Sequence, residues 1–167
     1  MARLMKAGIS AMKAEVDLQV AIDDAGGIPD VGTLERWAEA ALEAGGRKED
    51  AELTVRVVSE DEIHALNRDY RHVDRPTNIL SFPFECPPEV SLPLIGDLVI
   101  CMSVLRREAL EQHKTLDEHF AHLVVHGCLH LIGYDHIESA DAAVMEPLEV
   151  KALSALGYDN PYRDDEI

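Results

Sequence analysis

The sequence predicts an α+β fold, α/β-like in its alternation, with one mixed sheet of about four strands packed with about five helices. Three observations lead there. Short runs of strand character (VDLQVAI, LTVRVV, LIGDLVIC) alternate with segments whose apolar residues recur at helical spacing. The links between them are short. At 167 residues the chain is of single-domain size, with no internal repeat or low-complexity stretch.

In chain order, Val16 to Ile22 alternates polar and apolar side chains as a half-buried strand does, and the turn-rich DDAGGIPD ends it. Leu34, Trp37, Ala38, Ala41 and Leu42 form one helical face, closed by Gly45 and Gly46. Leu53 to Val58 is a second strand. Ser59 then caps a helix, with Glu62 placed to complete a capping box and Ile63, Leu66 and Tyr70 as its buried side. Pro76, Pro83, Pro87, Pro88 and Pro93 exclude helix from most of the next stretch, leaving Asn78 to Phe84 as an extended edge segment. Leu94 to Cys101 is a third strand. Ser103 caps a helix reaching about Gln112, Thr115 opens another in which Phe120, Leu123, Val124 and Leu131 face inward, and a last helix runs from about Ser139 to Leu156, stopped by Gly157.

Composition narrows the function classes. A formal net charge of -17 argues against broad, nonspecific attraction to nucleic acid, so any RNA contact must be local, near such groups as Arg68, Arg71, His72 and Arg75. Cys86, Cys101 and Cys128 are odd in number and scattered, which suits a reducing compartment better than a disulfide scaffold. No apolar run approaches the ~18 residues of a membrane span. Residues 1–13 read as an N-terminal tail without a signal core, and the protein as cytoplasmic.

The segment HGCLHLIGYDH carries the chemistry. On a helix, His126 and His130 lie about 40° apart on one face and one turn separated, so two imidazoles can grip one cation. Gly133 supplies a left-handed stop that turns the chain back and lets His136 give a third nitrogen. Three imidazoles with a fourth position open describe a catalytic zinc site, though nickel would accept the same set. The spacing is that of the metzincin peptidases, whose Glu after the first His is the general base. Here that position is Gly127, so the ligand frame is kept without the peptidase base. Cys128, rotated about 200° from His126, reads as a buried apolar side chain rather than a ligand. His122, one turn before His126, reads as groove lining, outer support for the site or a core histidine. Asp135 is placed to orient His136 or accept a proton. His64, His72, His113 and His119 are assigned no role.

With these residues in view, the chain resembles the YbeY family of zinc-dependent endoribonucleases of bacterial ribosomal RNA maturation. The likeness runs from about Leu53 to Leu156. It rests on AHLVVHGCLHLIGYDH at 121–136, LNRDYRHVDRPTNILSFPFE at 66–85 and IGDLVIC at 95–101, with Met145, Glu149 and LSALGY in the last helix. Asn78 stands where the family often has Asp. The resemblance implies a zinc site of His126, His130 and His136, and a functional arginine at Arg71. It further implies cleavage of single-stranded RNA, small-subunit ribosomal RNA precursors as substrate, and a part in ribosome quality control. Arg71 suits that chemistry, because a guanidinium pairs with two phosphoryl oxygens as charge develops on them. Without the resemblance, a surface ion pair with Asp69 or Asp74 accounts for it. Two rivals remain at this stage. One is a metallopeptidase-like hydrolase with another base. The other is a noncatalytic ribosome assembly factor with a structural zinc, whose acidic surface suits basic ribosomal proteins.

Overall fold

Strands that are apolar on both faces need cover on both sides, and the sheet is built around two of them. The computed structural model describes residues 12–85, 92–134 and 139–162. Among these, β1 (Ala14–Val20), β2 (Ala51–Val58), β3 (Ile79–Pro83) and β4 (Leu94–Cys101) form one sheet in the order β1-β2-β4-β3. The first three in that order are parallel, and β3 is antiparallel to β4 at the edge. Along β4, Leu98 and Ile100 enter one buried cluster, while Val99 and Cys101 enter the other. The period of two thus buries both faces.

Five helices supply the cover: α1 (Val31–Ala44), α2 (Glu60–Arg71), α3 (Met102–Glu111), α4 (Leu116–Leu131) and α5 (Ser139–Ala155). The result is the single-domain α+β fold with a mixed four-stranded sheet that the sequence predicts. On the larger core face α1 packs against α4 and α5, with the Trp37 and Phe120 rings 5.9 Å apart. On the other face Ile63 of α2 meets Val58, Leu80 and Val99. Met12 already belongs to the core, and residues 1–11 lie outside the described residues. The outer edge of β1 is blunted by α1, because Glu39 and Glu35 accept from the Ala14 and Val16 amides at 3.0 and 3.1 Å. Those bonds satisfy donors that would otherwise invite strand addition.

Three local expectations are corrected. Tyr70 is 66% exposed and lies edge-on to Phe82, while Asn67 takes the buried position on α2. The Asn67 amide donates to the Arg75 carbonyl at 2.8 Å, so a polar side chain is buried because it ties down the loop after the helix. The box at Ser59 is half formed: Ser59 Oγ accepts from the Glu62 amide at 3.3 Å, but the Glu62 carboxylate turns to Arg56 at 2.8 Å. Ser103 is not a cap. β4 runs straight into α3, so the cap position falls on Cys101 and Ser103 is already in the first turn.

The helix that carries the histidines is well anchored at its start. Thr115 Oγ1 accepts from the Glu118 amide and Glu118 accepts from the Thr115 amide, at 3.1 and 3.0 Å. Thr115→Ala is expected to lower unfolding stability by about 1 kcal/mol, read as a shift of the urea midpoint at constant slope.

Candidate functional site

Helix α4 is apolar toward the sheet and polar toward a groove. His119, His122, His126 and His130 recur at intervals of 3, 4 and 4 residues and so share one face. The opposite side buries Phe120, Val124, Val125 and Cys128. Burial raises the Cys128 thiol to about 12, which keeps it protonated and apolar, as the sequence suggests. The helix ends after Leu131. Gly133 has φ +108, its amide donates to the His130 carbonyl, and the Tyr134 amide donates to the Leu129 carbonyl, both at 3.0 Å. Paired bonds of this kind define a Schellman stop, and a side chain at Gly133 would strain it. The chain is thus turned where the sequence predicts. Asp135 and His136, the proposed third ligand, lie outside the described residues.

The remaining two predicted donors meet. His126 Nε2 and His130 Nε2 are 3.0 Å apart, with the rings tilted by 77°. Two imidazole nitrogens bound to one tetrahedral zinc at about 2.0–2.1 Å would be separated by about 3.3 Å, so the pair fits a shared ion with little movement. Among the described residues no third donor completes a set. Behind His126 stands Glu149 of α5, which has no exposed surface. Its Oε2 is 2.5 Å from His126 Nδ1, its Oε1 is 3.4 Å from His122 Nε2, and the Tyr162 hydroxyl donates to Oε1. Burial pushes this carboxyl upward, but the bonds from His122 and His126, the charge of His126 and the Tyr162 hydroxyl together bring it down to about 2. His122 is pushed down, first by burial, against the pull of Glu149.

The groove over this pair has a volume of about 960 Å³. Arg71, the last residue of α2, lines it together with His126 and His130. Asp69 pairs with Arg68 at 3.0 Å and Asp74 with His64 at 2.7 Å, so the acids expected to hold Arg71 are engaged elsewhere. Among the described residues Arg71 makes no ion pair.

The other end of the groove contains residues to which sequence reasoning assigned no part. His119 Nε2 is 2.8 Å from Glu108 Oε1, and the Asn78 amide donates to the same oxygen at 3.0 Å. The hydrogen bond from His119, more than any other cause, lowers the Glu108 carboxyl below the usual range. An Asp at position 78 would face that carboxylate with like charge, whereas the Asn supplies a donor. His113 also lines the groove, His64 hydrogen-bonds Asp74, and His72 ends α2 in a left-handed conformation with φ 61. Glu149, Glu108 and Tyr162 are the site residues missed. For Glu149 a signal existed: it shares a helical row with Met145, Ala152 and Leu153, an acid among buried apolar residues.

Comparison with known proteins agrees with this architecture. The solution structure of TM1509 from Thermotoga maritima is similar to it, with a TM-score of 0.52 and 26% sequence identity, covering 85% of this chain and 91% of that one. The family model described as endoribonuclease YbeY matches residues 28–157, which takes in the histidine helix, the arginine at the end of α2 and the buried acid of α5. The chain belongs to the YbeY endoribonuclease family.

Proposed function

We propose that the chain is one metal-dependent hydrolase domain, a zinc-dependent endoribonuclease specific for single strands. It acts in the cytoplasm, in maturation of small-subunit ribosomal RNA precursors and in ribosome quality control. His126, His130 and His136 are its ligands and Arg71 its catalytic arginine, and ribosomal proteins or assembly factors are its protein partners. The observation that carries this reading is the convergence of His126 and His130 Nε2 at 3.0 Å in a groove that Arg71 also lines. Zinc on three imidazoles supplies, when bound, a water acidified to about pKa 7 and a Lewis-acid contact for a phosphoryl oxygen. The protein's own residues do the rest. The Arg71 guanidinium pairs with nonbridging oxygens of the scissile phosphodiester, where charge grows in the transition state. The groove walls hold the strand. No described helix is long and apolar enough to cross a membrane.

Gly127 speaks against the peptidase rival. A Cβ there would come within 2.7 Å of Leu98 Cδ2 and 2.9 Å of Ile79 Cδ1, so this position faces the sheet and has no room for a base. Gly127→Ala is expected to be destabilising by about 1–2 kcal/mol, the overpacking exceeding the gain in helix propensity, in urea unfolding. The function itself is tested by incubating the purified protein with single-stranded RNA, duplex RNA and a peptide library, with and without chelator. Cleavage of single-stranded RNA that stops on chelation at temperatures where the fold persists is the expected result. Peptide cleavage, or RNA cleavage unaffected by chelation, would overturn it.

A further inference from the structure

A carboxylate without exposed surface is costly unless donors surround it, and the three around Glu149 come from two parts of the chain. His126 Nδ1 and His122 Nε2 reach it from α4, and the Tyr162 hydroxyl from the segment after α5. That segment is itself held down. The Tyr158 amide donates to the Leu153 carbonyl at 2.9 Å, the Tyr158 ring meets Trp37 edge-on at 6.5 Å, and Asn160 Oδ1 accepts from the Tyr162 amide at 2.8 Å. Lys114 Nζ adds a contact of 3.4 Å to the Pro161 carbonyl.

The network has a direction. An ionised carboxylate can accept but not donate, so the short contact to His126 places a proton on Nδ1. In the neutral ring the lone pair is then on Nε2, the nitrogen that faces His130 in the groove. We propose that Glu149, held by Tyr162, is a positioning residue that fixes His126 in the Nδ1–H tautomer and so presents Nε2 to a cation before the cation arrives. The metal-binding half of this proposal rests on the metal-centre reading given above. It extends the site to Tyr162, beyond residue 157 where the family match ends.

The test uses the full chain as native protein, Glu149→Gln and Tyr162→Phe, with His130→Ala as control. Long-range proton–nitrogen NMR of metal-free, nitrogen-15-labelled protein reads the tautomer of His126. Competition against a chromophoric chelator reads zinc affinity, and thermal melts report the fold. The native ring is expected as Nδ1–H. Glu149→Gln, whose amide can donate to Nδ1, is expected to lose this preference and bind zinc about 10–100-fold more weakly. Tyr162→Phe, which leaves the carboxylate in place but removes one charge-assisted bond, is expected to weaken zinc by about tenfold while folding normally. A merely structural role would lower the melting temperature and leave tautomer and affinity unchanged. An Nε2–H ring in native protein, or zinc affinity within twofold of native in both variants, would overturn the positioning role. Native protein that takes up no zinc, yet holds the Nδ1–H ring, would instead overturn the metal-centre reading.

Discussion

His130→Ala is expected to lose zinc and ribonuclease activity together, each by about 10³-fold or more, since removal of a direct ligand exceeds the 10–100-fold typical of an outer partner. The substitution is mild for the fold. His130 projects into the groove rather than the core, and alanine favours helix at that position. Its ring faces His126 at 3.0 Å, so the change removes half of the described donor pair. Metal content per chain by plasma mass spectrometry, beside turnover of a fluorogenic single-stranded RNA, reads both losses from one preparation. Unchanged metal stoichiometry in this variant would remove His130 from the site and the proposed mechanism with it.

What the sequence makes legible follows from how far its interactions reach. The stop at Gly133 and the helix start at Thr115 are set by residues within a few positions of one another, and both appear where local spacing indicates. The edge position of β3 is legible for a similar reason, since proline at its end cannot serve a central ladder. Glu149 is different. In the sequence it is one of 32 acidic residues, and its partner His126 is 23 positions away. The row it shares with Met145, Ala152 and Leu153 marks it as facing inward, but only the docking of α5 on α4 shows what it meets there. The role of His119 is not legible locally either, since its partner Glu108 belongs to the preceding helix. Tyr70 is the converse case: its helical phase matches Ile63, but Asn67 holds the inward position one turn earlier and the Tyr70 ring lies edge-on to Phe82 at the surface.

Arg71→Ala is expected to separate catalysis from metal binding. Arg71 is exposed, it lines the groove, and its acidic neighbours Asp69 and Asp74 are engaged by Arg68 and His64, so its removal leaves no buried partner unsatisfied. Zinc content and melting temperature should therefore match the native protein. Cleavage of single-stranded RNA should fall by about 10²–10³-fold, roughly 3–4 kcal/mol of transition-state stabilisation, as when one preorganised donor to a developing oxyanion is deleted. Arg71→Lys restores the charge but not the planar fork that meets two oxygens at once, so it should recover only part of the rate. The pattern across the two variants carries the inference. His130→Ala loses metal and turnover in step, whereas Arg71→Ala loses turnover with metal retained, and that split assigns one residue to holding the ion and the other to the phosphodiester. Full activity in Arg71→Ala would show that the guanidinium merely ends a helix, and the charge developing on the phosphoryl oxygens would then have to be met by another donor in the groove.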